Sequence, residues 1–215
     1  MSTDTHDLIE RLSAGVKPVR RLPRAIFRAA FLSLCALGLA LGILRYMHDP
    51  RPDLAQTFHD NIYLLQGALM FAAGAAAAYA AFVLSVPDTR IRPPVKIALG
   101  LSTGIWALLI LSELLQTKAM PDPAPSCFIG LTMGMSAPLA LGMAMLLRSA
   151  PVWRGWAGYA MVLSVGSFAA VCMRFICPND SPSHLLVWHF LPVIILALVG
   201  VPLGQILLKL TFSKK

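Results

Sequence analysis

Charge is scarce in this chain: 13% of its residues are Asp, Glu, Lys or Arg, against 57% that are hydrophobic. So small a polar complement cannot cover the surface of a soluble globule of 215 residues, which leaves a membrane protein. Acids are scarcer than bases, 10 against 18, for a net charge of +8. In a separable basic domain that excess would point to nucleic acid, but here the cations lie beside apolar segments, where they set topology. No direct contact with nucleic acid is expected. The four cysteines include no C-x-x-C pair, which argues against a zinc ribbon or a thioredoxin-type centre. Two repeated halves, a common sign of a secondary transporter, are not visible either.

What the chain has in quantity is long apolar runs. Six of them, at approximately 25–44, 62–86, 95–115, 128–147, 156–176 and 185–210, each approach the roughly 20 residues that a spanning helix needs. The breaks are short and rich in proline, as in His48-Asp49-Pro50-Arg51-Pro52-Asp53, and leave no room for an extramembrane domain. The first run is not read as a cleavable signal, because the head before it is long and contains acids. Residues 1–24 therefore form a polar head and residues 25–215 a membrane domain. Within the head, Leu8, Ile9, Leu12 and Val16 recur at helical spacing, and Asp7 and Glu10 stand like a capping pair. A short amphipathic helix from about Asp7 is expected.

Orientation follows from the cations. With the N-terminus in the cytoplasm, the inner side collects Arg11, Lys17, Arg20, Arg21, Arg24, Arg28, Arg90, Arg92, Lys96, Arg148, Arg154, Lys209, Lys214 and Lys215. The outer side keeps only Arg45, Arg51, Lys118 and Arg174. The expected fold is an all-α bundle of six transmembrane helices with both termini cytoplasmic. His48, His59, Cys127, Cys177 and His184 then lie outside.

Small residues recur every four positions, as Gly130, Gly134, Pro138 and Gly142 in the fourth run, Ala72, Ala76 and Ala80 in the second, and Gly200 and Gly204 in the sixth. Such seams let helix backbones approach, within a chain or between copies, so a homo-oligomer joined through them is one expectation. Pro192 and Pro202 should bend the last helix. Glu113 is the one acid inside a run. It lies near the outer interface and would meet water or a partner such as Arg45, or else line an ion path in a small transporter.

The densest chemistry is the stretch Cys177-Pro-Asn-Asp-Ser-Pro-Ser-His-Leu-Leu-Val-Trp-His189. Cys35 and Cys172 lie within runs and behave as small apolar side chains. Cys127 and Cys177 bound the fourth and fifth runs on the same side, where an oxidising compartment would let them meet. A bridge needs α-carbons within about 7 Å; a permanent disulfide and a switchable pair both remain open. Cys177, Asp180, His184 and His189 are also competent ligands for zinc, cadmium or copper. Ser181-Pro182 reads as an N-cap followed by proline at the first helical position. On an α-helix from there, five residues put His184 and His189 roughly 140° apart, so a two-His clamp on one helix is not expected. A metal site would need Cys127 or His59 from another loop. The alternative of a membrane thiol oxidoreductase passing electrons to a quinone lacks the closely spaced reactive pair that such enzymes use.

The head Asp7-Leu-Ile-Glu-Arg-Leu-Ser-Ala-Gly-Val-Lys-Pro-Val-Arg-Arg-Leu22, the six runs, Cys127 before the fourth of them and the Cys177 to His189 stretch together resemble the NrsF family, over nearly the whole chain. The resemblance implies a non-enzymatic anti-sigma factor of the bacterial inner membrane that holds an extracytoplasmic-function sigma factor inactive. It implies that Cys127 and Cys177 correspond to paired periplasmic cysteines implicated in sensing heavy-metal or oxidative stress. No cofactor is implied, a thiophilic metal entering only as the signal; by residue type, and not by the resemblance, its candidate ligands are Cys127, Cys177, His184 and His189. The head would grasp the sigma factor through Leu8, Ile9 and Leu12, with Arg11, Arg20 and Arg21 meeting acidic surfaces. A basic amphipathic head could instead lie on the bilayer.

Overall fold

The computed structural model describes residues 2–14, 22–86, 93–121, 123–149 and 151–212. Every element among them is helical: α1 (Ser2–Ala14), α2 (Ala25–Met47), α3 (Leu54–Thr57), α4 (Asn61–Leu84), α5 (Pro93–Gln116), α6 (Pro125–Leu147), α7 (Arg154–Met173), α8 (Pro182–His184), a π-helical turn (Leu185–Phe190) and α9 (Leu191–Phe212). Six of the helical stretches are long and apolar enough to cross a membrane: α2, α4, α5, α6, α7 and the continuous run from Pro182 to Leu207. Local chemistry sets several of the boundaries. Asp60 caps α4 by accepting from the Ile62 amide at 2.8 Å, and Pro125 and Pro182 occupy first-turn positions where a missing amide costs nothing. The expected side-chain cap from Ser181 does not form. Instead the Ser181 amide donates to Asn179 Oδ1 at 2.9 Å.

The hub of the bundle is α7, which packs against α9, α4, α6 and α2. Met161, Leu163 and Phe168 are fully enclosed. Its tightest neighbour is α9: a Cβ added at Gly158 would meet the Gly200 carbonyl and the Gly204 backbone, and one at Gly204 would meet the Arg154 carbonyl. The glycines of α6 are used in the same way, Gly130 and Gly134 against Leu44 and Gly142 against Met161. These seams therefore join helices of one chain. Gly38, Gly42, Gly100 and Gly104 have open space beside them.

Two polar anchors sit at opposite ends of the bundle. At the end where α2 begins, the buried Arg28 guanidinium donates to Ser149 Oγ (3.1 Å), the Phe82 carbonyl (2.9 Å) and Ser85 Oγ (3.1 Å) and stacks on the Phe82 ring. It satisfies one of the last four carbonyls of α4, that of Phe82, and ties the first turn of α2 to the segments following α4 and α6. Toward the other end, Glu113 is 2% exposed and accepts from Gln66 Nε2 at 2.6 Å. The expected partner Arg45 pairs instead with Asp49, one helical turn away at 3.1 Å, because Glu113 faces the packed α4–α5 seam rather than the rim.

Several boundaries differ from the sequence expectation. The head helix begins at Ser2, ahead of Asp7, and an Asp7–Arg11 ion pair of 2.9 Å supports it. Its Leu8, Ile9 and Leu12 are exposed, while Arg20 and Arg21 lie outside the described residues. α6 starts early enough to include Cys127 in its first turn, and α7 ends at Met173, which leaves Cys177 in the turn that follows. The largest departure is the π-helical turn at the start of the last span. Pro192 has no amide to donate, and in a regular α-helix its ring would crowd the carbonyl four residues earlier; over Leu185–Phe190 the backbone adopts the wider i→i+5 pattern.

Candidate thiol and imidazole site

Three chain segments converge where α6 begins and α7 ends. α6 presents Cys127 from its first turn. The turn after α7, closed by the Cys177 amide donating to the Met173 carbonyl at 2.8 Å, presents Cys177. The last span presents His184 and His189. Although 50 residues apart in sequence, the two sulfurs lie 3.6 Å apart as free thiols. His184 Nε2 is 3.3 Å from Cys177 Sγ.

The π-turn overturns the expectation that the two histidines occupy different faces. Its i→i+5 pattern brings residues five apart onto one side, and the two rings stand 5.2 Å apart between centroids. One ligand atom from each of Cys127, Cys177, His184 and His189 falls within 4.8 Å of every other, so this cluster could hold a metal ion. The additional ligand from another segment is Cys127; His59 is not part of the group. Cys177, His184 and His189 are buried and Cys127 is half-buried. Hydrogen bonding from the Cys127 thiol, with His189 alongside, holds the Cys177 thiol well below its ordinary pKa against the opposing effect of burial. Cys35 and Cys172 remain apart, Cys172 buried with its thiol 3.7 Å from the Leu37 carbonyl.

The loop carrying Cys177 is clasped from beneath. Arg51, 4% exposed, donates to both oxygens of Asp53 (2.8 and 2.9 Å) and to Asp180 Oδ2 (2.6 Å). Arg174 pairs with the other Asp180 oxygen at 3.3 Å and lies over the Tyr63 ring, whose hydroxyl donates to the Arg174 carbonyl at 2.8 Å. The two carboxylates hold Arg51 above its usual pKa, whereas burial pushes Arg174 below. Asp180, a ligand candidate by residue type, is thus engaged by arginines. Two of the four cations expected on the outer side prove to be buried structural partners. Sequence reasoning missed this clasp; the signal available was Asp180 standing between Cys177 and His184 in a chain with few acids.

The family model described as Negative regulator of sigma F matches residues 12–210. The chain belongs to the NrsF family. It is 30% identical over 216 residues to the Probable anti-sigma-F factor NrsF of Azospira oryzae, covering 95% of this chain and 99% of that one. It is 29% identical over 223 residues to the Anti-sigma-F factor NrsF of Caulobacter vibrioides, with the same coverage of each. No solved structure matches. NrsF membership and six helices of spanning length make this a multi-pass protein of the inner membrane. The NrsF match takes in all four residues of the thiol and imidazole cluster, and Leu12, Arg20 and Arg21 of the head; Leu8, Ile9 and Arg11 precede it.

Proposed function

We propose that the protein is an anti-sigma factor that holds an extracytoplasmic-function sigma factor at the cytoplasmic face of the membrane and releases it when Cys127 and Cys177 change state outside. The observation that carries this reading is the approach of the two sulfurs to 3.6 Å at the far end of the bundle from the start of α2. Residues 1–24 are the grasping segment. Leu8, Ile9 and Leu12 form an unpartnered apolar face on α1, and Arg11, Arg20 and Arg21 supply cations for acidic sigma surfaces. In this reading, which the cation asymmetry supports, both termini lie in the cytoplasm and the cluster in the periplasm. Two copies, where they associate, would meet through the glycines left open at Gly38, Gly42, Gly100 and Gly104.

The relay runs along α6, which carries Cys127 in its first turn and the buried Pro138 in its interior. Just beyond its last turn is Ser149, which holds Arg28 in the first turn of α2, the helix that follows the head in sequence. Moving α6 at the thiol end therefore moves the anchor of the head. A near-complete switch between two packings needs about 5.5 kcal/mol of preference. A disulfide closing the loop between the two cysteines supplies on the order of 4 kcal/mol against an open chain and less against folded helices. Oxidation to that bridge would release two protons and two electrons to an oxidant such as peroxide, whereas a thiophilic metal would act by drawing the ligands together. The test is a sigma-dependent reporter in cells carrying Cys127→Ser or Cys177→Ser, with and without cadmium or peroxide. Loss of induction in both variants is expected; unchanged induction would remove the sensing role. Deleting residues 1–17 should relieve repression, and full repression without them would remove the grasping role of the head.

A further inference from the structure

We propose that Cys127, Cys177, His184 and His189 form a four-coordinate site for a thiophilic divalent cation of the zinc and cadmium class, and that an ion held there keeps the two sulfurs from bridging. This rests on the reading of the cysteine pair as the sensing element and names the ligand to which that element responds.

The distances fit a tetrahedral ion. Zinc takes sulfur at about 2.3 Å and imidazole nitrogen at about 2.0–2.1 Å in a tetrahedron, so its S···S edge is about 3.8 Å and its S···N edge about 3.6 Å. Here the sulfurs are 3.6 Å apart and His184 Nε2 is 3.3 Å from Cys177 Sγ. With the widest separation in the group at 4.8 Å, about an ångström of closing completes a tetrahedral set.

Burial supplies an independent argument. His189 is 1% exposed and His184 3%, yet among the described residues both ring nitrogens of His189 and Nδ1 of His184 have no hydrogen-bond partner. Native interiors rarely leave such groups unmatched, and an ion is one of the few things that satisfies an imidazole nitrogen facing sulfur rather than oxygen. The π-turn is what directs both rings to this place, and turns of that kind recur at functional sites.

Charge and softness select the ion. Two thiolates neutralise a dication inside a low-dielectric pocket, so the loaded cluster carries no net charge where charge is costly. Thiolate with imidazole suits zinc and cadmium, whereas magnesium and calcium require oxygen ligands, and the nearby Asp180 is already engaged by Arg51 and Arg174. A cavity of about 230 Å³ lined by His48, Asp49, Ser126 and both cysteines gives an entry route. Because the ion occupies a lone pair on each sulfur and spaces them at the tetrahedral edge, metal loading and disulfide formation exclude one another at this site.

The test uses the full-length protein, reduced and stripped of metal in detergent, titrated with zinc, cadmium and cobalt(II), with magnesium as control. One ion per chain is expected, with cobalt giving sulfur-to-metal charge transfer and the intense visible bands of a tetrahedral centre. His184→Gln and His189→Gln, which remove a nitrogen without touching the thiols, should each weaken binding by at least about tenfold. Bound zinc should slow maleimide alkylation of Cys127 and Cys177. Absence of stoichiometric binding, or histidine variants that bind like the unaltered protein, would overturn the proposal. If binding fails while Cys127→Ser still abolishes induction of the reporter, the sensing role stands without this site. If binding holds while induction ignores the cysteines, the site stands and the sensing role falls.

Discussion

Replacing Arg28 by leucine tests whether the start of α2 is latched to the end of α6. The guanidinium makes three hydrogen bonds of 2.9–3.1 Å and is 6% exposed, with its ring contact to Phe82 at 4.9 Å. Three bonds from a charged donor, at about 1.5–3 kcal/mol each, would sum to about 6 kcal/mol. Two facts cut that figure. Ser85 Oγ already donates to the Phe82 carbonyl at 2.7 Å and Ser149 Oγ to the Met145 carbonyl at 3.3 Å, so the hydroxyls keep partners. Removing a buried charge that has no carboxylate partner among the described residues also returns its desolvation cost. Arg28→Leu should therefore cost about 2 kcal/mol, Ser149→Ala about 1 kcal/mol, and the pair together little more than Arg28→Leu alone, a coupling of about 1 kcal/mol. Equilibrium unfolding in mixed detergent micelles reads all three. In cells, Arg28→Leu should blunt the reporter's response to cadmium although the thiols are intact. Effects that add within about 0.5 kcal/mol would show that the two side chains do not share an interaction and would remove the relay through α6.

Other perturbations bear on the packing that supports the site. Gly158→Ala drives a methyl group into the Gly200 carbonyl and the Gly204 backbone; separating α7 from α9 should cost about 1–3 kcal/mol in the same unfolding assay, against near-neutrality for Gly100→Ala, which meets open space. Gln66→Leu leaves the buried Glu113 carboxylate without its 2.6 Å donor and should cost about 1–3 kcal/mol, largely recovered in the double variant Gln66→Leu with Glu113→Leu. The Arg51 hydrogen bond holds Asp53 below the ordinary carboxylate value. Its contribution is complete above about pH 4 and is lost as the pH falls through the lower folded value. Asp53→Asn should lower stability near neutral pH and flatten that part of the acid-unfolding curve, the two proteins converging at low pH.

The parts of the molecule that could be read from sequence are those fixed by local composition. A spanning helix must keep about 20 apolar residues together, so the six runs announce themselves, and Cys127 and Cys177 follow from counting crossings. Pairings across long sequence distances carry no such local mark. Gln66 meets Glu113 across 47 residues and Arg51 meets Asp180 across 129, so Arg51 and Arg174 read as stray cations rather than as the clasp beneath the thiol loop. The histidines were misplaced for a different reason: an angular argument at 3.6 residues per turn presumes an α-helix, and the turn from Leu185 to Phe190 is wider. Pro192, three residues after His189, was the available sign, since proline disturbs the ladder in the turn before it.

The account depends most on the cluster and the head lying on opposite sides of the membrane. A membrane-impermeant maleimide applied to intact cells tests this directly, using a chain in which Cys35 and Cys172 are replaced by alanine and Cys177 by serine, and a second chain whose single cysteine replaces Ser13 in α1. Cys127 should be labelled in intact cells, and the cysteine at position 13 only after the membrane is breached. Labelling of the head from outside, or protection of Cys127 until lysis, would contradict the account.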